Sequence, residues 1–235
     1  MAKTKSQEIK EKMNKDIFRR IVQVISILLI QCFILFACAG TLKWNWAWIF
    51  ISTGVIILVI NYLVLPREVM EERGRKKRNV KRWDKILMTI NTIPILGIYI
   101  LSGLDYRFNW SGDLPVIIHV TGLVILFLGS MLFTWSMVSN KFFSTMVRIQ
   151  GERGHSIAAE GPYKYVRHPG YVGFILMAMA TPVALGSIYA LSMSFLVLII
   201  FIIRTALEDK TLLRELEGYG GYSKKVKYRL FPFIW

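Results

Sequence analysis

The apolar residues of this chain arrive in long, nearly uncharged blocks, and that blockiness limits the fold more than any other feature. Residues 21–39, 44–65, 86–104 and 115–138 carry almost no charge. Each can cross a hydrocarbon core about 30 Å thick at about 1.5 Å of helix per residue. A further block, residues 171–207, is too long for one span. Thr181-Pro182 and Gly186-Ser187 interrupt it, so it reads as a tight helical hairpin of two short spans. Backbone polar groups inside a bilayer must be satisfied within the segment, which leaves helices as the solution for such blocks. The expected fold is all-α: a polytopic integral membrane protein with about four spans plus a C-terminal helical hairpin and a cytoplasmic pocket. Hydrophobic residues make up 54% of the chain, above the roughly 45–50% of a soluble domain.

The net charge of +15 invites a nucleic-acid reading, but its distribution argues against one. The cations gather before the first span (from Lys3 to Arg20), between spans two and three (from Arg67 to Lys85, Arg78 included), after span four and in the tail. The alternate loops hold only Lys43 and Arg107. This asymmetry places both termini in the cytoplasm and assigns the charge to anionic lipid headgroups, with no nucleic-acid partner. The segment 66–85 is expected to be a cytoplasmic loop whose charges form a solvated face, and residues 1–15 a frayed cytoplasmic helix. Cys32 and Cys38 both lie inside the first span, read as an uncleaved anchor, and cannot build a disulfide framework. With only His119, His155 and His168 as histidines, no metal site is expected; His119 reads as a span-four residue bonded to a neighbour.

From residue 140 the texture changes to mixed polar, small and aromatic residues, so the chain divides into an N-terminal arm with a four-span anchor (1–139) and a C-terminal core (140–235). The stretch "GPYKYVRHPGYVG" sits at the mouth of the hairpin. Pro169 suits a first helical position, where its missing N–H is unpaired anyway. A helix start beside Arg167 and His168 attracts anions. At the far end of the hairpin, "RTALED" places Arg204 and Glu208 four apart, the spacing of an intrahelical ion pair. Adjacent acids near a helix C-terminus oppose the macrodipole, so Asp209 calls for a partner, with Arg167 and His168 as candidates. The two margins of the hairpin must therefore meet, as a basic wall facing an acidic one.

A zwitterionic cofactor such as S-adenosyl-L-methionine matches walls of opposite sign. The chain has no Walker loop and no Gly-rich turn after a strand to offer another nucleotide site. These motifs, with the hairpin and the tail "GYGGYSKKVKYRLFP", resemble the isoprenylcysteine carboxyl methyltransferase and phospholipid methyltransferase superfamily over about residues 140–235. The resemblance implies a membrane-embedded methyltransferase that uses S-adenosyl-L-methionine on a lipid-like or prenylated acceptor. It also implies that His155, Ile157, Gly161, Tyr163, Arg167, His168, Pro169, Tyr171, Gly173, Glu208 and Asp209 line the cofactor, and that Arg204 is the catalytic arginine. Asp209 stands where the family often has a second Glu. A carboxylate acceptor needs no general base, and the planar fork of Arg204 suits holding one. An NADPH-dependent membrane reductase of sterol or enone type shares a similar hairpin and is the alternative; a scaffold or transporter component, for which only His119 and a few hydroxyls stand near the midplane, is the third reading.

Overall fold

The structure, a computed structural model, describes residues 5–77 and 79–235, with side chains from residue 13 onward. Lys3 and Arg78, counted above among the cytoplasmic cations, lie outside those residues. Among the described residues all regular structure is helical. The helices are α1 (Lys5–Ala39), α2 (Asn45–Val64), α3 (Arg67–Gly74), α4 (Arg82–Phe108), α5 (Val116–Val138), α6 (Pro169–Leu185), α7 (Leu191–Glu215) and α8 (Tyr219–Lys225). Short 3-10 turns at Gly151–Arg153 and Gly161–Lys164 punctuate the long segment between α5 and α6.

Five helices are long and apolar enough to cross a membrane: residues Met13–Ala39 of α1, with α2, α4, α5 and α7. Their outward faces are aliphatic. Phe33, Leu63, Ile93 and Ile117 are each more than 60% exposed, a surface that only hydrocarbon accommodates. The expected spans are all present, but the hairpin is asymmetric. Its first arm, α6, has 17 residues, whereas α7 has 25 and is not a short span. The break falls at Gly186, whose φ of 78° ends α6 in the left-handed region, and not at Pro182.

Pro182 stays inside α6 because its cost is met from across the hairpin. A mid-helix proline leaves the carbonyl four residues earlier without a donor. That carbonyl belongs to Ala178, and the Ser194 hydroxyl of α7 donates to it at 2.8 Å. In a bilayer interior such a substitute donor stands in for missing water.

Helices α5 and α6 lie closest of all. A Cβ added to Gly173 would come within 2.6 Å of the Gly129 carbonyl oxygen, and one added to Gly129 within 3.0 Å of the Gly173 carbonyl. The backbones therefore touch, as small residues allow in membrane helix pairs. His119 of α5 closes the far end, its Nδ1 3.0 Å from the Ala184 carbonyl and its ring stacked on Trp46 at 4.3 Å.

The loop expected between spans two and three is instead anchored structure. Helix α3 rides on α1 and turns Glu72 inward until it is 1% exposed. Glu72 accepts from Arg148 Nη2 at 3.0 Å, Lys77 Nζ at 2.9 Å and Ser144 Oγ at 3.3 Å. Burial raises its pKa, but the bonds from Lys77 and Arg148 outweigh it and hold the carboxyl below its ordinary value.

Replacing Ser194 with Ala orphans the Ala178 carbonyl and is expected to cost about 1–3 kcal/mol. In a Pro182→Ala background, where residue 182 regains its own N–H, the same change is expected to cost less than about 0.5 kcal/mol. Thermal or denaturant midpoints of the four proteins in one detergent measure the difference.

Candidate active site

The two margins of the hairpin do meet, and the residue that joins them is Asp209. This carboxylate is 0% exposed. Arg167 grips it with both prongs, Nε and Nη2 each at 2.8 Å. Arg229 Nε donates at 2.9 Å, Tyr219 Oη at 2.9 Å, and His168 Nε2 lies 3.4 Å away. The remaining Arg167 nitrogen, Nη1, donates to the Val226 and Lys227 carbonyls, both at 2.8 Å. Arg167 and Asp209 are thus spent on each other and on the tail. Burial, then the Asp209 charge, push the Tyr219 hydroxyl far above its ordinary pKa, so it remains a donor. The shorter Asp209, where the family often has a second Glu, sits between the two prongs of Arg167 and the Nε of Arg229.

The helix start is also used differently than expected. The N–H groups of Arg167 and His168 donate to the Tyr228 and Arg229 carbonyls, each at 2.9 Å. They hold the C-terminal segment against the mouth of α6 and are not free for an anion. Pro169 occupies the first helical position, as expected.

Arg204 makes no ion pair with Glu208. Its Nε and Nη2 reach Asp84 at the start of α4, at 2.8 and 3.2 Å, and Nη2 also donates to the Thr145 carbonyl. Asp84 is 0% exposed and accepts a further bond from the Val147 N–H at 2.7 Å. This corrects the reading of Arg204 as a free fork, because Asp84 already fills its bidentate face. Above it, the Arg204 Cζ sits 4.9 Å from the Tyr171 ring, and the Tyr171 hydroxyl donates to Glu208 Oε2. A relay of fixed positions runs from Asp84 through Arg204 and Tyr171 to Glu208.

Beside this clamp lies a cavity of about 100 Å³. His155, Ile157, Tyr163, Arg167, His168, Tyr171 and Glu208 are in its wall. Gly161, Pro169, Gly173, Arg204 and Asp209 are not in that wall. Gly161, at φ 58°, instead packs its backbone against Ser139 and Trp135, and Gly173 makes the α5 crossing. The opposite wall is the segment after α5, from Asn140 to Ala158. The buried Gln150 laces it, donating to the Phe142 carbonyl at 2.6 Å and accepting from Arg153 at 2.7 Å. Asn140 donates to the Tyr163 hydroxyl at 3.3 Å, and Tyr222 donates to the Tyr163 carbonyl at 2.7 Å.

Among the described residues, Glu208 Oε1 and His155 Nε2 have no hydrogen-bond partner, and both residues face the cavity. Burial, then the charges of Arg148 and Arg153, depress the His155 pKa, so its ring is neutral at pH 7. Sequence reading missed Asp84, Glu72, Gln150, Tyr219 and Arg229. Asp84 and Glu72 were hidden in a charge run, where nothing distinguishes an inward acid from a solvated one.

Residues 120–214 match the model of the isoprenylcysteine carboxyl methyltransferase (ICMT) family. Over that stretch the chain is similar to the isoprenylcysteine carboxyl methyltransferase family. It is 32% identical over 120 residues to a probable protein-S-isoprenylcysteine O-methyltransferase of Oryza sativa subsp. japonica, covering 50% of this chain and 62% of that protein. It is 33% identical over 111 residues to the protein-S-isoprenylcysteine O-methyltransferase of Schizosaccharomyces pombe, covering 46% and 47%. The chain therefore matches these relatives over less than two thirds of their length. The fold is similar to that of the eukaryotic intramembrane Ras methyltransferase ICMT, with a TM-score of 0.55, 17% identity and coverage of 92% of this chain and 77% of that one.

Two outcomes follow from this geometry. Asp209→Asn leaves Arg167 and Arg229 facing a neutral amide in a buried site, and is expected to destabilise by about 3–5 kcal/mol, read as a lowered thermal midpoint. His155 titrates below its ordinary 6.5 in the folded state, so the unfolded chain binds the extra proton first. Stability is then full above about pH 6.5 and declines as pH falls below it. The thermal midpoint of the wild type should drop over that range, and His155→Gln should remove that part of the drop.

Proposed function

We propose that this protein is a membrane-embedded methyltransferase that transfers a methyl group from S-adenosyl-L-methionine to the carboxylate of an isoprenylcysteine-like acceptor. The observation that carries the reading is the partnerless oxygen of Glu208, held by Tyr171 in a cavity whose far wall carries a neutral His155. A methyl donor with an ammonium and ribose hydroxyls supplies the donors that Glu208 lacks. Ile157, Leu212 and Leu216 offer an apolar face to a purine, and His155 Nε2 offers a neutral polar contact. When bound, the cofactor supplies an electrophilic methyl on a sulfonium.

At about 100 Å³ the cavity is smaller than the roughly 300 Å³ of ordinary cofactor sites. Loading then requires an outward shift of the wall that can give, the 3-10 turn and irregular segment between α5 and α6. Arg167 and Asp209 act as positioning residues that lock the tail to the hairpin, and Asp84 and Arg204 position Tyr171 and Glu208. Arg204 contributes charge and at most its one remaining nitrogen, Nη1, to an acceptor. A carboxylate acceptor suits this inventory, because it is already ionised and asks no group here to remove a proton. Alignment and exclusion of water are what the buried clamp provides. The positive-inside asymmetry supports a cytoplasmic position for both termini and for the cavity.

Calorimetry on the folded full-length chain in detergent tests this. The wild type is expected to bind S-adenosyl-L-methionine or its demethylated product, and Glu208→Gln to bind about 10–100-fold more weakly at an unchanged thermal midpoint. Absence of binding by the folded wild type, or enhancement of reduced nicotinamide fluorescence in a parallel titration, overturns the methyltransferase reading.

A further inference from the structure

A second cavity, about 490 Å³ in volume, lies away from the clamp between α1, α2, α3 and α5. Its walls are mostly aliphatic and aromatic, including Val24, Leu58, Leu65, Met70 and Phe133. On its lipid-facing side Ile25 is 49% exposed, Val59 52% and Tyr62 62%, so the groove opens toward hydrocarbon. Two guanidinium groups, of Arg20 and Arg73, reach into this apolar space. Among the described residues neither has a carboxylate partner, although their neighbours Arg19 and Arg75 both have one in Asp16.

Charge without a partner in an apolar wall is costly, and like charge makes it worse. The Arg73 Cζ sits 5.4 Å from the ring centroids of both Phe133 and Phe143. Burial, then the charges of Arg20 and Arg204, pull its pKa down to about 9. The site asks for a molecule with an anionic head and an apolar chain. Arg20 stands where the apolar run of α1 begins, which is headgroup depth, and its partner Arg73 belongs to a helix of the same charged layer.

We propose that this groove holds an anionic phospholipid of the surrounding bilayer, its phosphate bridging Arg20 and Arg73 and one acyl chain lying along α1, α2 and α5. The methyl acceptor is a poorer occupant. Phe143 lines the first cavity and Phe133 the second, and their rings meet edge to face at 5.4 Å, closing the way between the two spaces. A head seated on Arg20 and Arg73 stays outside that aromatic partition. The bound lipid has a structural consequence, since Glu72, adjacent to Arg73, holds Arg148 of the cavity wall. Bridging α3 to α1 through a phosphate therefore steadies the wall of the first cavity. The inference does not depend on the methyl-transfer reading.

Native mass spectrometry of the full chain, released from nanodiscs of equal dioleoyl phosphatidylglycerol and phosphatidylcholine, tests it. The wild type is expected to retain one phosphatidylglycerol over phosphatidylcholine by roughly thirtyfold, from about 1 kcal/mol per arginine at the headgroup. The Arg20→Gln/Arg73→Gln double variant should fall to near parity, each single variant should lose about fivefold, and Arg214→Gln, at an exposed position on α7, should match the wild type. If the double variant does not fold, the single variants decide. Equal retention of both lipids by the wild type overturns the proposal. So does a preference that is undiminished in Arg73→Gln, or displacement of the lipid by equimolar farnesylcysteine.

Discussion

The fold of the back half turns on one buried negative charge. Asp209 is fully buried near the polar end of α7, and the groups around it serve to satisfy it. Arg167 comes from the mouth of α6, Arg229 from the tail, Tyr219 from α8 and His168 from the cap. A single carboxylate on α7 therefore makes three other segments, the start of α6, α8 and the tail, mutually dependent. An isolated buried ion would cost many kcal/mol, and only near-complete coordination makes it tolerable. The arrangement also explains why the C-terminal segment, which has little regular structure, is nevertheless fixed: its carbonyls accept from Arg167 while its own arginine donates to Asp209.

The membrane-crossing architecture was legible because hydropathy blocks translate directly into helices when no water is present to satisfy a backbone. The hairpin was legible too, along with the meeting of Arg167 and His168 with Asp209. What the sequence hid was commitment. Arg204 and Glu208 have the spacing of a mutual ion pair, yet Asp84, 120 residues earlier, captures the arginine and Tyr171 takes the glutamate. Local spacing cannot report a competitor that arrives from another helix. Gly161, Pro169 and Gly173, which the resemblance assigns to the cofactor, are engaged in the turn, the helix start and the α5 crossing.

The front half proves to be more than an anchor. Glu72 and Asp84 lie on either side of the short link between α3 and α4, and both point inward. Glu72 takes Arg148, and Asp84 takes Arg204 and the Val147 N–H. Between them they pin the segment after α5 at two neighbouring points, which is the wall of the first cavity. A charge run that looks like a solvated face thus contains the two acids on which the cavity's shape depends.

The backbone contact between Gly129 and Gly173 has a consequence for traffic. Where two helices touch main chain to main chain, no acyl or prenyl chain can slip between them without first prising the pair apart. The α5–α6 seam is thereby sealed to hydrocarbon along its crossing. Any hydrophobic guest that reaches the clamp from the bilayer must travel by another face of the bundle, with the sealed seam as a fixed wall.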